Sequence, residues 1–146
     1  MTFYTAVATQ ARFHMATYEC YDRVISKPFP TAEKLLRLDA EGIEPWQAAV
    51  PGYFSDQASI PPRYALAQAI MLWRMQNLRI IMYRPFVIRR ALRRREDPDA
   101  GAARAYERCL EEAKTTIEMI AEFWDSRDHD RLAGWYGLYV HVAITR

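Results

Sequence analysis

An all-α fold follows from three features of this 146-residue sequence. Apolar residues recur at intervals of three and four along most of the chain, and no period of two lasts long enough for a strand. Prolines punctuate the pattern where helices open or close. One stretch, Pro62 to Tyr83, is apolar on nearly every side, as a helix inside a bundle must be. With 51% hydrophobic and 13% aromatic residues the chain has ample material for a core. A chain of this length buries roughly 68–70% of its unfolded surface. The expected architecture is an irregular multi-helix bundle around a buried central helix. It occupies one domain, 1–146, and is itself expected to be a fragment of a larger helical domain.

The first helix spans about Phe3 to Ile25, with Phe3, Val7, Phe13, Cys20 and Val24 recurring at helical intervals. It stops at Ser26-Lys27-Pro28, because the residue before a proline is driven out of the helical region. Thr31 is suited to cap the next helix and Glu33 to its positive first turn, while Leu35, Leu36 and Leu38 supply a buried side. Gly42 and Pro45 are expected to break that helix, leaving a short piece around Trp46 to Val50 before the connector PGYFSDQASIPP.

The central helix opens on Pro62, whose missing N–H is not needed in a first turn. Leu66, Ile70, Trp73, Asn77 and Ile80 form one stripe, and Met71, Met75, Leu78 and Met82 a second. Only a narrow polar strip (Gln68, Gln76, Arg79) is left. Asn77 lies on an apolar stripe, so its amide is expected to tie the helix to a neighbour. Pro85 is expected to end or kink the helix, with Arg84 reaching the freed carbonyls and Phe86 packing beside the break.

The next helix opens at Asp97-Pro98-Asp99. Its apolar face is read as Tyr106, Cys109, Leu110, Ala113, Ile117, Ile120, Phe123 and Trp124. Arg104, Arg108, Glu111, Glu112, Lys114, Glu118 and Glu122 take the solvent side. A polar turn, Asp125 to Asp130, leads to a last apolar helix with Leu132, Trp135, Tyr139 and Val142, which reaches Ile144-Thr145-Arg146 without a C-cap signal.

Charge is distributed unevenly. Residues 1–60 carry a net −2, residues 61–98 a net +7 and residues 99–146 a net −3, for +2 in all. The positive charge concentrates in RPFVIRRALRRR (Arg84 to Arg95). Arg89, Arg90, Arg93, Arg94 and Arg95 are candidates for a nuclear-import run, against the alternatives of a solvated helix end and direct nucleic-acid contact. Acidic flanks repel a phosphate backbone and put nucleic-acid contact last.

Several function classes drop out. No uncharged apolar run is long enough to span a membrane, and no secretory signal opens the chain, so it is expected to be soluble and intracellular. Two cysteines, Cys20 and Cys109, read as buried thiols, with a single long-range disulfide as the alternative, and are too few for a Cys-rich zinc module. His14, His129 and His141 are scattered. In DSRDHDR the arginines Arg127 and Arg131 interleave with the acids around His129, which favours a solvated turn over a metal site. There is no P-loop, GxGxxG, HExxH or GxSxG motif. The chain is therefore not expected to be an enzyme. One alternative to an ordinary core is an apolar effector pocket lined by Met71, Trp73, Met75 and Met82, since methionine adapts to irregular ligands.

The order of these motifs resembles a known family. LAQAIMLWRMQNLRIIMYRPFVIRR is similar to the long helix of the fungal-specific transcription-factor regulatory domain, the middle homology region of zinc binuclear-cluster activators. Its usual pattern of a polar pair, aliphatics and then His-Arg-Pro-Phe is matched by Gln76-Asn77, Ile80-Ile81-Met82 and Tyr83-Arg84-Pro85-Phe86. Tyr83 stands where histidine is usual. Upstream, Tyr21-Asp22, Lys27-Pro28, Leu35 to Leu38, Trp46 and Val50-Pro51-Gly52-Tyr53-Phe54 look like the lead-in. Downstream, RCLEEAKTTIEMI and WYGLYVHVAI look like the following helices.

The resemblance implies an all-α regulatory domain of a nuclear transcription factor, acting without catalysis. It would modulate RNA polymerase II transcription through co-regulators or the rest of its parent protein, and in some members through a small-molecule effector. No cofactor is implied for this chain. Zinc, and DNA binding through it, belong to a six-cysteine cluster expected in a missing N-terminal segment.

Overall fold

In the computed structural model of the chain, the described residues are 3–51, 60–93, 99–126 and 131–145. Of these, 91% are helical and none lies in a strand, so the all-α class holds. In chain order the elements are α1 (Phe3–Ile25), α2 (Ala32–Leu38), a π-helical turn (Asp39–Ile43), α3 (Glu44–Ala49), α4 (Pro62–Arg93), α5 (Ala100–Ser126) and α6 (Arg131–Thr145). The chain divides into two compact units, Met1–Met71 and Leu72–Arg146, and the division falls within α4. Several sequence expectations lie outside the described residues: Gly52, Tyr53 and Phe54 of the connector, Arg94 and Arg95, Asp97-Pro98, Asp128 to Asp130, and the side chains of Arg93, His141 and Val142.

In the first unit α1 turns Ala6, Thr9, Phe13, Thr17 and Cys20 inward. Val7, expected on that face, is instead exposed. The two buried threonines donate back along their own helix, Thr9 Oγ1 to Thr5 O and Thr17 Oγ1 to Phe13 O, both at 2.8 Å. Such back-bonding satisfies a hydroxyl that would otherwise be stranded on an apolar face. The helix ends where Ser26 turns back, its N–H and its hydroxyl both donating to Arg23 O. Thr31 caps α2 as expected, accepting from the Lys34 N–H at 3.3 Å.

Gly42 and Pro45 do not break the next element. The chain passes from α2 through the π-helical turn straight into α3, with Pro45 in the first turn of α3, where no N–H is required. Gly42 is there for close approach: a Cβ at that position would lie 3.1 Å from the carbonyl oxygen of Ala16 on α1. The extra residue of the wide turn delivers Trp46 to Phe13, with ring centroids 4.8 Å apart.

Helix α4 is buried around most of its circumference from Gln68 to Phe86. Burying side chains such as Leu78 and Met82 stabilises by roughly 1.5–3 kcal/mol each. The strip of Gln68, Gln76 and Arg79, expected to be the polar side of this helix, is buried too. Nor does α4 end at Pro85; it runs through the proline to Arg93. The proline forfeits one backbone hydrogen bond, but its neighbours Tyr83 and Phe86 are both buried, and keeping the helix intact holds them there.

In the second unit α5 begins after Asp99: Asp99 Oδ1 accepts from Gly101 N–H at 2.9 Å and its carbonyl from Ala103 N–H at 3.0 Å. The buried face of α5 is Gly101, Ala102, Ala105, Cys109, Glu112 and Thr116, rotated from the apolar face read in the sequence. Leu110, Ile117 and Trp124 are exposed as a result. On α6 the inward residues are Ala133 and Gly137, whereas Leu132, Trp135 and Tyr139 face out, the reverse of expectation.

Candidate functional site

Two features of the second unit stand out, a buried polar cluster and an open apolar groove. The cluster joins α4 to α5. Arg79 Nη1 donates to Glu112 Oε1 at 3.3 Å, and Arg108 Nε approaches the same oxygen at 3.2 Å. One turn along, Thr116 Oγ1 lies 2.6 Å from Glu112 O and 3.2 Å from Gln76 Oε1, while Gln76 Nε2 points at Met119 Sδ at 3.1 Å. Residues three apart on α4 (Gln76, Arg79) thus meet residues four apart on α5 (Arg108, Glu112, Thr116), which is the spacing that lines up side chains on one helix face. Glu112 was read as solvated. It is 8% exposed and serves two guanidinium groups. The missed signal was Gln76 and Arg79 in the most heavily buried part of α4.

The groove lies between α5 and α6. Ile117, Ile120, Ala121 and Trp124 line one side, and Gly134, Gly137 and Leu138 the other, around a volume of about 440 Å³. Ile117 is 50% exposed and Leu138 62%, so the groove is open to water. Gly137 lets the helices close on one another, since a Cβ there would stand 3.1 Å from the Trp124 ring. Elsewhere on α6, Trp135 and Tyr139 stack at 5.8 Å and 11°, both more than half exposed. Among the described residues no ionisable side chain lines this groove, so what they can do chemically is hold apolar surface.

The residues singled out in the sequence fall as follows. Met71, Trp73, Met75 and Met82 are buried in the core, Trp73 against the Phe123 ring at 5.3 Å, and none of them lines the groove. Asn77 is buried, but its Oδ1 accepts no hydrogen bond among the described residues, so the expected tie through that atom is not made. Tyr83 and Phe86 are buried, and Arg84 and Pro85 are half-buried within the continuous helix, so Arg84 caps no break. Arg84 instead lies close enough to Cys109 for its charge to act on the thiol. Of the basic run, Arg89 lies over the Phe86 ring at 5.3 Å and Arg90 over Tyr106 at 4.1 Å.

Both cysteines are free and buried. Burial pushes each thiol up to about 11, with Asp39 and Glu19 adding to the effect at Cys20. At Cys109 Arg84 pulls the other way and Glu112 adds to the rise. Neither is a poised nucleophile. Among the described residues no group of three or more His, Cys, Asp or Glu could hold a metal ion, and no helix is long and apolar enough to cross a membrane. No family model, curated protein or solved structure matches the chain.

Proposed function

We propose that this chain is a non-catalytic regulatory module of the fungal transcription-factor type. It modulates RNA polymerase II transcription in the nucleus by seating an apolar segment of a co-regulator, or of its own parent protein, in the groove between α5 and α6. The observation that carries this reading is the groove itself. Its walls are apolar and its rim is half exposed. Helix-in-groove recognition uses such surfaces. The order of sequence motifs supplies the transcriptional part of the proposal, and DNA binding would reside in a zinc-cluster segment distinct from this chain.

The test is a reporter assay with the chain fused to a heterologous DNA-binding domain. Ile117→Lys and Leu138→Lys alter exposed side chains and should leave the far-UV circular dichroism unchanged while shifting reporter output about fivefold or more. Output that tracks wild type in both variants removes the proposal.

A second reading is favoured by one observation. A volume of about 440 Å³ matches small-molecule sites, which span roughly 300–1,000 Å³. A hydrophobic metabolite in the groove would raise the melting midpoint of wild type and not of Leu138→Lys. A flat response across a broad panel disposes of that reading.

A further inference from the structure

The α5 wall of the groove belongs to a longer exposed stripe. Leu110, Lys114, Ile117, Ala121 and Trp124 follow one another at alternating steps of four and three, and all are exposed. At 100° per residue they fall within an arc of about 80°. Ile117, Ala121 and Trp124 line the groove, and so does Ile120, on the flank that turns toward α6. On the other flank Glu111, Glu118 and Asp125 recur every seventh residue, in one strip about 60–100° from the middle of the stripe. An e position lies there beside an a/d seam, within reach of a helix laid along the seam. All three acids are exposed. Between Glu107 and Asp125 the exposed charges of α5 are five acids and the single cation Lys114.

We propose that the segment seated in this groove is a basic amphipathic helix. Its apolar side rests on Ile117 and Leu138, and its lysines or arginines face Glu111, Glu118 and Asp125. The inference rests on the groove reading above and adds the charge of the occupant. Charge complementarity carries it. The groove's lining residues are uncharged, so the acidic strip along its α5 edge is what discriminates between apolar helices of opposite sign. An acidic segment would meet like charge there. A second copy of α5 laid antiparallel on the stripe would set acid against acid along the same edge. Lys114 sits within the stripe, and its pair with Glu118, 3.8 Å long and exposed, holds it only weakly. A single lysine in such a seam fixes the register of the partner at some cost in affinity. From Leu110 to Trp124 the stripe runs about 21 Å, the length of a helix of about four turns.

Fluorescence anisotropy on the intact chain tests this with two synthetic helical peptides of about 18 residues. Both carry the same leucine face, flanked by lysines in one and by glutamates in the other. At about 50 mM salt the lysine peptide should bind about tenfold tighter or more, and added salt should narrow the gap. The variant E111K/E118K/D125K alters exposed side chains, so it should keep the far-UV circular dichroism of wild type and reverse the preference. I117S/L138S removes the apolar anchors without changing charge and should weaken the lysine peptide about tenfold. Equal affinity for the two peptides, lost in I117S/L138S, overturns the assigned charge and leaves the groove reading standing. A lysine peptide that binds I117S/L138S like wild type overturns the seat, because charge alone then holds it. Absence of binding by either peptide at about 500 μM overturns the basic-helix proposal, while the reporter assay still decides the groove reading.

Discussion

Removing the Glu112 carboxylate should destabilise the second unit more than removing any exposed charge. In Glu112→Ala, Arg79 remains 97% inaccessible, since it is 3% exposed, but loses a carboxylate at 3.3 Å, and Arg108 loses the same partner at 3.2 Å. At an effective dielectric of ~20, a 3.3 Å pair attracts by about 5 kcal/mol, part of which is offset by the desolvation of both ions. Breaking such a pair from one side costs about 3–5 kcal/mol, because a cation is left in a site that excludes water. Lys114–Glu118 is the control. It is also an i,i+4 pair at 3.8 Å, but its side chains are 78% and 64% exposed, so Lys114→Ala should change stability by no more than about 0.5 kcal/mol. The assay is urea unfolding followed by tryptophan fluorescence, which reports on Trp73 beside Phe123 in this unit. The apolar double variant Arg79→Met/Glu112→Leu should recover most of the loss, because neither charge is then buried. A Glu112→Ala variant within about 1 kcal/mol of wild type, or a double variant no better than the single, refutes the electrostatic account of the cluster.

Two further outcomes follow from the thiols and the glycines. Cys20 and Cys109 rise from the ordinary value of 9.0 to about 11 on folding, so the native state holds their protons more tightly. The stability gained this way is complete below pH 9 and is lost as pH climbs through 11. Urea midpoints of wild type should therefore fall faster over that window than those of a Cys20→Ala/Cys109→Ala variant, and parallel curves would contradict it. On α6, a Cβ at Gly134 meets nothing within 4 Å, so Gly134→Ala should stabilise by about 0.5–1 kcal/mol through helix propensity. Gly137→Ala pushes on the Trp124 ring and should gain less while altering Trp124 emission. Equal gains at the two positions would show that the ring yields freely.

The sequence reading was strongest where one residue's chemistry decides the outcome. Thr31 caps α2, Pro62 opens α4, and Ser26-Lys27-Pro28 ends α1. It was weaker where the outcome depends on which neighbour arrives. The apolar residues of α5 span more of the helix than one packing face can bury, so periodicity alone could not choose between a face centred on Cys109 and one centred on Ile117. The structure buries the first and leaves the second to the groove. Glu112 sat on the boundary and read as solvated, since only its partners on α4 make it a core residue. Prolines misled for a related reason. Pro45 and Pro85 are compatible with helix when position or packing compensates, and at Pro85 the compensating packing is not local.

The wide turn from Asp39 to Ile43 makes the first unit unusually sensitive to chain length. Each residue of a helix advances the next by 100°. Deleting a single amino acid between Leu38 and Glu44 would swing the Trp46 indole by about that angle, off Phe13 and toward water. Homologous chains should therefore vary freely in the identity of the exposed residues there, yet keep their number constant.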